Sequence, residues 1–135
     1  MLKRHIYFIA FLSWLALVTW LSLSSFSEMD IGNSWIQIPH MDKLVHLAFY
    51  LGVSVLGSLF LREITKGAIS IWKAILSATV FAIVYGIIIE VLQLKITLNR
   101  EGDILDAIAN SFGALIGAGI VKIMFSKKMP LKWSN

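Results

Sequence analysis

The sequence contains no cysteine and little charge. Without cysteine there can be no disulfide, no thiolate metal site and no cysteine nucleophile. Charged residues make up only 15% of the 135 residues and hydrophobic residues 58%, with a mean hydropathy of +0.80. A soluble domain is roughly 25% charged and about 45–50% apolar, so the chain departs in both directions at once. At this length one domain, 1–135, is expected, and its interior is too small to hide so much apolar surface from water. That argues against a soluble enzyme, and the missing apolar partner is most simply a lipid bilayer. The sequence also lacks internal repeats, low-complexity linkers and a G-x-S-x-G nucleophile motif.

What it does have is four apolar runs, at about 6–23, 44–61, 71–94 and 104–125. A membrane-spanning helix needs about 20 mostly apolar residues, and lipid admits only helices or closed barrels. These runs are continuous rather than alternating, which disfavours a barrel. The expected fold is all-α: a polytopic four-helix transmembrane bundle. The first run follows Lys3 and Arg4, as a signal peptide would, but it is longer than the roughly 7–15 residues of a signal-peptide core. It is expected to remain as a membrane anchor. Residues 24–41, with Trp35 and Pro39, read as an interfacial segment. Residues 62–70 and 95–102 read as tight polar turns, and the basic tail from Ser126 as frayed.

Charge sets the expected orientation. Lys3, Arg4, Arg62, Lys66, Lys73, Lys122, Lys127, Lys128 and Lys132, nine of the twelve basic residues, fall on one side of a four-span arrangement. Seven of the eight acids, all but Glu63, fall on the other, with Lys43, Lys95 and Arg100. Cytoplasmic loops are enriched in Lys and Arg, so both termini are expected to be cytoplasmic. The net charge of +4 is then a topology and anionic-lipid signal, not a nucleic-acid one.

Polar residues inside the apolar runs are the candidates for chemistry. Asp42, His46 and Tyr50 stand at i, i+4, i+8 on one face of the second helix. Asp42 there can be an N-cap, and Lys43 can snorkel to the interface. Glu90 and Gln93 share a face of the third helix, with Gly86 one turn below. A carboxylate in an apolar run must be paired or protonated, and is either a functional group or one half of a buried ion pair with Arg100 or His46. In the fourth helix Asp103, Asp106, Asn110, Gly113 and Gly117 follow in steps of three, four, three and four, so they form one stripe. Gly113 and Gly117 read as a close-packing seam. Asp103 can be an N-cap favoured by the helix dipole, whereas Asp106 and Asn110 lie too deep for that. In the four-span arrangement Asp42, Lys43, His46, Tyr50, Glu90, Gln93, Arg100, Asp103, Asp106 and Asn110 can gather in one extracytoplasmic-side polar pocket. The first helix, with Ser13, Thr19 and scattered Trp, reads as a packing wall.

Asp42-Lys43-x-x-His46-x-x-x-Tyr50, then Glu90-x-x-Gln93, then Arg100-x-x-Asp103-x-x-Asp106-x-x-x-Asn110-x-x-Gly113 resembles the VanZ-like membrane-protein family over roughly 40–120. The tract between Gln93 and Arg100 is compressed and lacks the Pro-Gly often seen there. The family is named for a member linked to resistance to the glycopeptide teicoplanin. The resemblance implies a small multi-pass protein of the bacterial cytoplasmic membrane, acting at the cell envelope.

Two functions lead. The first is binding of a lipid headgroup, a lipid-linked cell-wall precursor or a lipophilic glycopeptide. Arg100 and Lys43 would hold an anionic group, and Asp103, Asp106 and Asn110 would take hydroxyls, amines or a hydrated cation. Membrane lipids are the expected partners. The second is an intramembrane enzyme using His46, Glu90 and Asp106. No metal ligand is assigned and no cofactor named, although Asp103, Asp106, His46 and Glu90 are residue types that hold divalent ions. Ion movement is disfavoured, because the inner half of the fourth helix is glycine and alanine.

Overall fold

The computed structural model describes residues 5–24, 41–96 and 104–133. They form four helices: α1 (Ile6–Leu23), α2 (Met41–Ile64), α3 (Ile71–Ile96) and α4 (Ile104–Met124). There is no strand among the described residues. The helices have 18, 24, 26 and 21 residues. At 1.5 Å per residue they are roughly 27–39 Å long, against a hydrocarbon layer of about 30 Å. Each is long and apolar enough to cross a membrane, and the chain is a multi-pass membrane protein. The helices outrun the apolar stretches at 44–61 and 71–94, because helical pairing continues through flanking polar residues. Asp42 therefore lies within the first turn of α2 rather than ahead of it. Its side chain lies outside the described residues.

The side-chain distribution is the reverse of that in a soluble core. Large apolar residues face outward: Leu76 is 65% exposed, Ile123 64% and Phe112 57%. The interior is rich in small residues, including Ser54, Ser58, Ala74, Ala78, Ala82 and Ala114. Lipid is as apolar as leucine, so helices associate by close packing rather than by hiding hydrophobic surface. The α2–α4 contact is the most extensive, and α2 also packs on α1 and α3. Gly113 and Gly117 form the α2–α4 seam. A Cβ at Gly113 would overlap the Leu47 carbonyl, and one at Gly117 would stand 2.7 Å from the Leu51 oxygen.

Side-chain bonds fix the other helices. α1 runs antiparallel to α2: the Trp14 indole donates to the Phe49 carbonyl (2.8 Å), and Glu63 accepts from the Phe8 amide (2.9 Å) near the start of α1. α1 runs parallel to α3, where Thr19 meets the Tyr85 hydroxyl and Gln93 donates to the Ser22 carbonyl (2.8 Å). The first helix is thus tied by polar contacts as well as packed. The α2–α3 turn uses positive φ at Lys66 (54°) and Gly67 (79°), and the Gly67 amide closes on the Arg62 carbonyl (2.9 Å).

The C-terminal tail is folded where fraying was expected. Arg62 donates to the carbonyls of Lys132 (2.8 Å) and Trp133 (2.9 Å), and its guanidinium lies over the Phe125 and Trp133 rings. The Trp133 indole donates to the Ile69 carbonyl (2.7 Å). A planar guanidinium and an amphipathic ring together give this short tail enough partners to settle on the α2–α3 turn.

Candidate functional site: a polar cluster at one end of the bundle

Three helices converge where α2 and α4 begin and α3 ends. From α2 come Lys43, His46 and Tyr50, spaced one turn apart. From α3 comes Glu90, with Gly86 one turn away. From α4 come Asp106 and Asn110, also one turn apart. The seam at Gly113 brings α2 and α4 close enough for their polar faces to meet just above it.

Lys43 Nζ stands 3.5 Å from Asp106 Oδ1. His46 Nδ1 is 3.0 Å from Asn110 Oδ1 and 3.7 Å from Glu90 Oε1. The first separation is a hydrogen bond and the second is too long for one. Burial is graded along the axis. The Lys43 side chain is 24% exposed and that of Asp106 15%, whereas Glu90 and His46 are buried and Tyr50 is fully enclosed. The polar column runs roughly 10 Å along α2 from Lys43 to Tyr50, at 1.5 Å per residue.

Gly86 makes the lower part of the column possible. A Cβ there would stand 3.1 Å from the Tyr50 ring and 3.3 Å from the Asn110 side chain. Tyr50 Oη and Asn110 Nδ2 are buried and have no hydrogen-bond partner among the described residues. Buried polar atoms are costly to leave unmatched in a low-dielectric interior. This end of the column thus keeps unused hydrogen-bonding capacity.

The structure brings together Lys43, His46, Tyr50, Glu90, Asp106 and Asn110. Gln93 is buried, but its amide reaches across to Ser22 in α1. Arg100 and Asp103, like the side chain of Asp42, lie outside the described residues. His46, Glu90 and Asp106 each offer a ligand atom within 4.8 Å of the others, so this trio has the composition and spacing to hold a metal ion.

Sequence reasoning missed the Ser22 carbonyl and the Tyr85 hydroxyl. A backbone acceptor leaves no mark in the sequence. Tyr85 carries a signal only once α1 and α3 are known to be neighbours. The Lys43–Asp106 pair was not read from the sequence, which gave Lys43 to the interface or to an anionic ligand, although the topology put both residues at one end.

A sequence model of the VanZ/LLP1 family matches residues 4–125. The chain belongs to the VanZ/LLP1 family. No curated protein and no solved structure matches it. All of the cluster, from Lys43 to Asn110, lies inside the stretch that matches VanZ/LLP1. The Arg62–Trp133 contact joins that stretch to residues beyond it.

Proposed function

We infer that the protein binds the polar headgroup of an envelope amphiphile at the outer end of the bundle. The ligand would be a membrane lipid, a lipid-linked cell-wall precursor or a lipophilic glycopeptide. One observation supports this reading: a polar column of graded burial runs from part-exposed Lys43 to enclosed Tyr50, between helices whose large apolar side chains face outward. Leu44, next to Lys43 in the chain, and Ile104, two residues before Asp106, are 59% and 76% exposed. A headgroup could enter the column while its tail stays against those apolar faces. Lys43 would supply cationic charge for a phosphate or carboxylate, and Arg100, which lies outside the described residues, would add a bidentate fork. Asp106 and Asn110 supply acceptors and donors for hydroxyls or amines. The charge asymmetry supports placing both termini in the cytoplasm and the column on the extracytoplasmic side of the bacterial cytoplasmic membrane.

The test is lipid retention. Protein extracted into detergent and analysed by native mass spectrometry should carry an anionic lipid or lipid-linked precursor. Asp106→Asn and Arg100→Met should lose it while staying folded. A folded wild-type protein that retains no amphiphile, and gains none from a panel of envelope lipids, overturns the reading.

The approach of His46 Nδ1 to Glu90 Oε1 favours a second function. Imidazole beside carboxylate is the pairing that orients a general base. On that reading His46, Glu90 and Asp106 are the catalytic residues of an intramembrane enzyme acting on an envelope lipid. Turnover of a supplied lipid, abolished by His46→Phe, would establish it over binding alone.

A further inference from the structure

We propose that His46, Glu90 and Asp106 form a site for one divalent transition-metal ion, with the Asn110 carboxamide as an additional ligand. Their ligand atoms come from three different helices and lie within 4.8 Å of one another. His46 Nδ1 and Glu90 Oε1 are 3.7 Å apart. That is too far for a hydrogen bond and close to the roughly 3.4 Å between neighbouring ligands of a tetrahedral ion with bonds of about 2.1 Å. Asn110 Oδ1 stands 3.0 Å from the same nitrogen, a hydrogen bond that an ion held by both groups would replace.

A second observation is independent of the trio. Asn110 is 1% exposed, one atom of its carboxamide faces His46, and the other has no hydrogen-bond partner among the described residues. In either orientation of the amide, one buried polar atom is left over. An ion would take the carboxamide oxygen in place of its bond to His46, and the amide nitrogen would stay available to donate to a further ligand group.

The donor set names the class of ion. One imidazole with carboxylate and amide oxygens, and no thiolate, suits Zn²⁺, Mn²⁺ or Fe²⁺. Ca²⁺ and Mg²⁺ favour oxygen alone. Two carboxylates this close in a low-dielectric setting repel each other unless a cation lies near. Lys43 supplies one such charge on the outer side of Asp106, and the ion would supply another between the helices. A coordination position left open could take a phosphate oxygen of the ligand. That last step rests on the headgroup reading, while the ion site does not.

The test uses the full chain in detergent, stripped with a chelator and then titrated with Zn²⁺ and Mn²⁺ by calorimetry. One ion per chain is expected, with affinity reduced at least about tenfold in His46→Gln and Asp106→Asn. A folded wild-type chain that binds no ion saturably overturns the proposal. So does binding that is unchanged in both variants. If a variant fails to fold, pulsed electron paramagnetic resonance of bound Mn²⁺ decides the matter in a chain carrying His5→Gln and His40→Gln. Coupling characteristic of a coordinated imidazole nitrogen can there come only from the remaining histidine, His46. Its presence supports the site and its absence refutes it. Failure of ion binding with an anionic lipid still retained refutes this proposal alone and leaves headgroup binding standing.

Discussion

Gly113 of α4 lies against the backbone carbonyl of Leu47 in α2, with no space between them for a side chain. One turn on, Gly117 repeats the contact with Leu51 and Ser54. Backbone cannot rotate aside as a side chain can. Gly113→Ala and Gly117→Ala should therefore force α4 away from α2, each costing about 1–3 kcal/mol, the usual range for overpacking. Gly119 is the internal control, because a Cβ there meets nothing within 4 Å. Gly119→Ala should be neutral, or stabilising by up to about 1 kcal/mol through helix propensity. Unfolding of the three variants in mixed detergent would check the order. Equal stability for all three would mean that α4 does not pack on α2 through this seam.

The contrast between that seam and the tail shows what a sequence makes legible. Spacing arithmetic put Asp106, Asn110, Gly113 and Gly117 on one stripe, and the limits of α1 and α3 followed from apolar length with little error. Membrane helices permit this because lipid imposes length and internal hydrogen bonding on every span. The partners of the stripe were less legible. Gly113 meets a carbonyl, and Gln93 donates to one. Main-chain acceptors are the same at every residue, so no pattern of side chains announces them. The tail failed as a reading for a related reason. Its order comes from Arg62 and Ile69, more than sixty residues away in sequence.

Arg62 should therefore control the tail. Arg62→Met keeps the apolar stem but removes both bonds to the Lys132 and Trp133 carbonyls and the cation held over two rings. Hydrogen bonds from charged donors are worth roughly 1.5–3 kcal/mol when buried, and less at this half-exposed site. The absence of native cysteine makes the measurement direct. A spin label at a single Lys132→Cys should be immobilised in the parent and mobile once Arg62→Met is added. Equal mobility in both would show that the guanidinium does not hold the tail.

Orientation follows from the distribution of Lys and Arg, and it can be checked without a functional assay. Reporter fusions after Asn33 and after Asn135 should lie on opposite sides of the membrane, with the second cytoplasmic. Moving positive charge should matter more than moving negative charge. Neutralising Lys127, Lys128 and Lys132 should weaken the bias, whereas neutralising Glu28 and Asp30 should leave it intact. If the fusion after Asn135 reports the extracytoplasmic side, the polar column faces the cytoplasm and an envelope ligand would have to be abandoned.

The polar cluster invites a comparison of stability with task. A buried ion pair kept only for structure can often be replaced by apolar residues of similar volume with little loss of stability, or even a gain. A binding or catalytic site cannot be so replaced without losing what it does. Lys43, His46, Glu90, Asp106 and Asn110 exceed the needs of a single fastening pair, and Tyr50 and Asn110 keep buried polar atoms with no partner among the described residues. Glu90→Gln, His46→Phe, Asp106→Asn and Arg100→Met should therefore leave thermal unfolding in detergent within a few degrees of wild type. The same variants should lose an envelope phenotype such as glycopeptide susceptibility, most clearly for Glu90, Asp106 and Arg100. His46→Phe removes the bond to Asn110 while filling much of the same space. If every variant that loses the phenotype also unfolds, the cluster is a fastening of the three helices and the functional reading fails.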